Sequence, residues 1–198
     1  MPRDGFRWCH ITLHARNSWL HGDPRGFRDR NHRKHSSGDY RNPPPAGEHD
    51  ALHRYFRRRA GAKRRFDSEL RLTVCGVAAA KLEAMDCNPL VVAVPVNHLH
   101  LLALFPSSHD ETDKLIARLK QRTSHAVGTA LPKPLWAQGC DVEPIKSEAH
   151  QRAAFAYIRD KQGMDAAVWT FRLPGASLRS ALGFRNGVEY IRDDEAEG

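Results

Sequence analysis

From residue 8 the chain reads WCHITLHA, with Cys9, Ile11, Leu13 and Ala15 alternating against Trp8, His10, Thr12 and His14. That period of two predicts a strand with one apolar face. Leu70, Val74, Val77, Ala78, Leu82 and Met85 recur at helical spacing behind Asp67 and Ser68, either of which can cap the helix, and Asn88-Pro89 stops it. LVVAVPV and HLHLLALF then read as two strands around a turn near Asn97. Ser108 and Glu111 form an S-x-x-E capping box, opening a helix to about Val127 with Leu115, Ile116 and Leu119 on its apolar face. PLWAQGCDVEP reads as a further strand. Ser147 can cap a helix to about Gln162 with Ala149, Ala153 and Ala156 on one side, and AAVWTFRL supplies a final short strand.

The order strand, helix, strand, strand, helix, strand predicts an α+β fold, a ferredoxin-like split βαβ sandwich. An antiparallel four-stranded sheet would carry two helices on one face, and a C-terminal helix would carry a tyrosine. One such domain is expected over residues 1–171, with a basic insertion at about 17–66 and a tail at 172–198. The insertion is rich in Gly, Pro, Arg and His without a sustained period, which predicts a long loop and one short basic helix broken at Gly61.

Charge sharpens this picture. The chain has 198 residues and a net charge of +8. Residues 1–66 hold sixteen Lys and Arg against six Asp and Glu, so the whole basic excess lies there. A basic segment of this kind points to a polyanion, with nucleic acid the default. No apolar run reaches the roughly 18 residues of a membrane span. The segment MPRDGFRWCH has no apolar core, so no secretory leader and a cytoplasmic location are expected. Cys9, Cys75, Cys87 and Cys140 form no CxxC pair and read as reduced thiols.

The candidate chemistry begins with His98 and His100, two imidazoles inside an apolar strand. Alternation puts both on one face, about 7 Å apart along the strand. They can converge on one cation or serve as hydrogen-bonded core residues. Tyr157 lies on the last long helix, in AFAYIRDKQG, and a tyrosine can attack phosphorus once a metal or base assists it. Lys161 falls one turn beyond it.

A His-hydrophobic-His strand followed by a tyrosine helix reading YI resembles the HUH single-tyrosine transposases, and among them the REP-associated tyrosine transposases. HITLHARNSWLHGDPRGFRDR, PLWAQGC and AAVWTF resemble further segments of that group. The resemblance spans roughly residues 8–171. It implies an enzyme that cuts and rejoins single-stranded or hairpin DNA, acting as a monomer or homodimer. His98 and His100 would hold Mg²⁺ or Mn²⁺ against the scissile phosphate, and Tyr157 would form a 5′-phosphotyrosine. The chain departs from the pattern at Lys161, where relatives place Gln or Asn. Gln162 stands one residue later, about 100° further round a helix. Either a distorted helix end brings Gln162 in as third ligand, or that ligand lies elsewhere, or the site is weakened. A weakened site would make the chain a domesticated, catalytically weak single-stranded or hairpin nucleic-acid-binding protein.

Candidate DNA contacts follow from charge and aromatic content. Lys114, Arg118 and Arg122 make one stripe on a helix. Arg57, Arg58, Arg59, Lys63, Arg64 and Arg65 form the densest basic cluster, with Tyr55, Phe56 and Phe66 interleaved for stacking on bases. Trp19, Arg25 and Phe27 in WLHGDPRGF offer a second such set, or an anchor for that loop. Asp23 reads as a turn residue, and His10, His14, His21, His32 and His35 read as surface or DNA-proximal.

Overall fold

The computed structural model describes residues 4–27, 35–39 and 42–171. The expected tail and His32 lie outside them. In chain order the elements are β1 (Phe6–His14), α1 (Asp50–Arg59), α2 (Ser68–Glu83), β2 (Val91–Val94), β3 (His98–Pro106), α3 (His109–Val127), β4 (Asp141–Pro144), α4 (Glu148–Asp160) and β5 (Ala167–Thr170). The sheet has five strands in the order β4-β1-β3-β2-β5, and every pairing is antiparallel. The four-stranded expectation is therefore corrected. β5 pairs along the whole of β2, from Val91 opposite Thr170 to Val94 opposite Ala167, and takes the edge β2 would otherwise expose.

The local sequence explains the helix ends. Asp67 accepts from the Leu70 amide at 2.8 Å and starts α2. The chain leaves α2 through Asp86 and Asn88, both at positive φ. Ser108 accepts from the Glu111 amide, and Gly128 at φ 59° ends α3. PLWAQGC is not a strand. Trp136 makes only an isolated bridge to Ala15, and pairing with β1 resumes at Asp141. Trp136 is a buried loop residue instead, donating Nε1–H to Thr123 at 2.9 Å and packing edge-on against Phe66.

The sheet's two faces have different partners. Ile11, Leu13, Leu99, Leu101, Ala103, Phe105, Val92 and Trp169 face α2 and α3, and with Val74, Ala78, Leu82, Ile116 and Leu119 they make the main core. On the other face, Val91, Ala93, Leu102 and Val168 lie under Ala154 and Ile158 of α4. The expected apolar side of α4 is corrected, because Ala149, Ala153 and Ala156 are exposed and Ala154 and Ile158 are the buried pair. α4 thus covers the β2–β5 half of its face. The β4–β1 half and the start of β3 carry His10, Thr12, His14, His98 and His100 instead of aliphatic residues.

Candidate functional site

Register assembles the site. His14 lies opposite His98 and Thr12 opposite His100 across β1 and β3. On the far side of β1, β4 sets Glu143 opposite His10 and Asp141 opposite Thr12. The His98 and His100 rings stand edge to face with centroids 4.7 Å apart. Tyr157 reaches over them from α4, its ring 5.7 Å from His100 and 6.0 Å from His10. It is 42% exposed, so the phenol is open to a ligand from solvent.

Each imidazole is tied on one side. His98 Nδ1 lies 2.8 Å from Asn97 Oδ1. His100 Nδ1 lies 3.0 Å from His10 Nε2 and 3.0 Å from Thr12 Oγ1. His14 Nε2 is 3.2 Å from Asp141. Burial, with His98, His10 and His14 adding to it, pushes His100 down to about 2. Burial, with His14 and Arg25 adding and a bond from Gln162 opposing, pushes His98 down to about 4. Burial also lowers His10, against the pull of Glu143. At neutral pH these rings are uncharged, the state in which imidazole donates a lone pair.

The helix end settles where Lys161 and Gln162 go. α4 stops at Asp160, and Lys161 is its cap, with its amide on the Tyr157 carbonyl at 3.0 Å. Gln162 is already off the helix. Its Nε2 donates to the Tyr157 carbonyl at 3.2 Å, and its side chain bonds His98. Among the described residues no group of three His, Cys, Asp or Glu is arranged to hold a metal. The donors on offer are two neutral imidazoles and the Gln162 carboxamide. That chemistry fits a divalent cation with open positions, and nitrogen donors suit Mn²⁺ better than Mg²⁺.

The WLHGDPRGF loop borders this cluster. The Trp19 ring lies 5.4 Å from that of His14, and Arg25 is close enough to influence His98. Arg25 stacks on Trp19, its guanidinium carbon 4.1 Å from the ring centre. Asp23 is more than a turn residue: only 4% exposed, it accepts from Arg25 Nε and Nη2, each at 2.7 Å, and from the Arg25 amide. Burial pushes the Asp23 carboxyl up, but the bonds from Arg25 outweigh it and hold the pKa low. Gly22 has φ +78° and no room for a side chain, since a Cβ would meet the His53 amide nitrogen at 2.6 Å. Phe27 is buried against His21 and His49, so it anchors the loop.

The remaining basic residues are spread out. Arg57, Arg58 and Lys63 are exposed. Arg64 is spent on the carbonyls of Pro132 and Ala62. Phe66 is 1% exposed and belongs to the core, which removes it as a stacking surface; Tyr55 is exposed beneath Arg59. Lys114, Arg118 and Arg122 are exposed on α3, across the sheet from the histidines and Tyr157. Glu143 and Asp141 were missed in the sequence, and His10 and His14 had no specific role there. The polar stripe Trp8, His10, Thr12, His14 was visible, but only the register with β3 and β4 gives it a site.

No protein-family model matches this chain. No curated protein matches it. Among solved structures, a REP-associated tyrosine transposase bound to a REP hairpin aligns with 77% of this chain at 12% identity, with a TM-score of 0.42. The chain spans 64% of the length of that protein. A likeness at this level carries no argument, and the chemistry has to come from the residues. Among the described residues no helix is long and apolar enough to cross a membrane.

Proposed function

We propose that the chain is a metal-dependent nickase and strand transferase of single-stranded or hairpin DNA. The observation that carries this is the convergence of an exposed tyrosine, two neutral imidazoles and a carboxamide on one open half of a sheet face. His98, His100 and Gln162 would hold a divalent cation, Mn²⁺ or Mg²⁺, which would supply Lewis-acid polarisation of the scissile phosphate. Tyr157 attacks phosphorus through its phenolic oxygen and takes the DNA 5′-phosphate, leaving a 3′-hydroxyl. That hydroxyl, or the one on another strand, reverses the step, and the phosphodiester is conserved without a nucleotide cofactor.

The flanking residues fit substrate binding. Trp19 and Arg25 lie beside His14 and His98, where a phosphate and an unpaired base would leave the site. Arg57, Arg58 and Lys63 extend the basic surface from the insertion, and Lys114, Arg118 and Arg122 would serve a second stretch of DNA. The test is a denaturation-resistant protein–DNA adduct that needs both Tyr157 and Mn²⁺. A second reading is a DNA-binding protein without chemistry. It is favoured by the lack, among the described residues, of three His, Cys, Asp or Glu side chains arranged around a metal. It predicts hairpin binding with no adduct.

A further inference from the structure

We propose that His150, Glu143 and His10 form a relay that positions His100, fixing which of its nitrogens faces the cation. This rests on the functional reading above and extends it to residues outside the ligand set.

The proton positions follow from one end to the other. The Lys146 amide donates to His150 Nδ1 at 3.3 Å, so the proton of neutral His150 sits on Nε2. That nitrogen is 3.5 Å from Glu143 Oε1. The other carboxylate oxygen of Glu143, Oε2, is 3.7 Å from His10 Nδ1. At 3.7 Å the carboxylate acts through its charge rather than a hydrogen bond, and that charge favours the hydrogen on Nδ1, which leaves His10 Nε2 as an acceptor. His10 Nε2 is 3.0 Å from His100 Nδ1, and at that distance one nitrogen must donate and the other accept. His100 Nδ1 therefore donates, with Thr12 Oγ1 sharing that hydrogen at 3.0 Å. What remains on His100 is the Nε2 lone pair.

His98 is governed by other neighbours: its Nδ1 lies 2.8 Å from the Asn97 carboxamide, and Gln162 bonds the same ring. His100 is thus left with Nε2 free for a ligand through a backbone-anchored relay, while His98 is set by Asn97 and Gln162. Were the hydrogen of His10 on Nε2, His100 would have to carry its own on Nε2 and could not ligate through it. Outer carboxylates of this kind orient metal-binding histidines generally. Here a second imidazole stands between the carboxylate and the ligand.

The experiment uses the full chain at a pH where all histidines are neutral. Two-bond proton–nitrogen NMR in the presence of chelator reads the tautomers, and Mn²⁺ titration followed by electron paramagnetic resonance reads affinity. Expected are Nδ1–H forms for His10 and His100. Glu143 is largely exposed, so Glu143→Ala should fold. It should let His10 and His100 shift toward Nε2–H, leave His98 unchanged, and weaken Mn²⁺ roughly ten- to a hundredfold. Glu143→Gln, which keeps an acceptor oxygen, should restore part of that affinity. Mn²⁺ binding with His100 as Nε2–H, or with tautomers and affinity indifferent to Glu143→Ala, would overturn the relay and leave the metal reading standing. Absence of Mn²⁺ binding by the unaltered chain would overturn both.

Discussion

The side chain of Gln162 returns five residues along the chain to donate to the Tyr157 carbonyl at 3.2 Å. A carboxamide at that place cannot come from the helix itself, because α4 ends at Asp160. Its position is set by the turn that follows. The consequence is a division of labour between neighbours: Gln162 faces His98, while Lys161 is the helix cap. Gln162→Ala should cut Mn²⁺ affinity and adduct formation at least tenfold, and Lys161→Ala should change either by less than about threefold. Titration and adduct yield on the two variants check this; equal effects would reverse the assignment.

Asp23 should behave as the keystone of its loop. It is buried with its carboxylate committed to Arg25, so Asp23→Ala removes three bonds from one guanidinium and amide. We expect a loss of about 2 kcal/mol in chemical unfolding. Hairpin affinity should fall to the level of Arg25→Ala, since without Asp23 the guanidinium is no longer held over Trp19. Unfolding curves and gel shifts on both variants test it.

The α3 stripe offers a contrast. Lys114, Arg118 and Arg122 are on the opposite side of the sheet from Tyr157. Changing all three to Ala should leave cleavage of a short hairpin within twofold, while reducing affinity for longer DNA. Arg25→Ala should impair the short substrate. Loss of short-hairpin cleavage in the triple variant would mean that the DNA path crosses the sheet edge.

Acid should destabilise the metal-free protein before the carboxylates titrate. Burial holds His98 near 4 and His100 near 2, against an ordinary value of 6.5. Below pH 6.5 the unfolded chain takes up protons that these folded rings refuse. Stability is therefore greatest above pH 6.5 and falls as pH drops from there toward 4. Thermal unfolding in chelator should show Tm decreasing between pH 7 and 5, and His100→Gln should flatten the slope. A Tm independent of pH over that range would contradict the buried, neutral state.

Much of the architecture was legible because its signals are local. Period-two alternation marked β1, a short apolar run marked β3, and Asp67, Ser108 and Ser147 were visible as caps. Two elements were misjudged for tertiary reasons. Trp136 looked like a strand residue, yet its indole is satisfied by Thr123 rather than by a ladder. The alanines of α4 suggested its buried side, but the helix is rotated so that Ile158 packs on Leu102, which turns Tyr157 outward over the histidines. His98, His100 and Tyr157 stood out by residue type, and their roles came from the family resemblance rather than from spacing. His10 and Glu143 could not, because their meaning depends on the register of β1 against β3 and β4. Phe66 sat among arginines in sequence, and only packing against Trp136 shows it to be core.

Mapping the covalent bond tests the role of Tyr157 most directly. The protein is mixed with labelled hairpin DNA and Mn²⁺, denatured, digested and read by peptide mass spectrometry. Expected are a nucleotide 5′-phosphate on the peptide containing Tyr157, a released strand whose 3′-hydroxyl a polymerase can extend, and no adduct from a normally folded Tyr157→Phe. Hairpin binding without an adduct, or an adduct that survives Tyr157→Phe, would contradict that role.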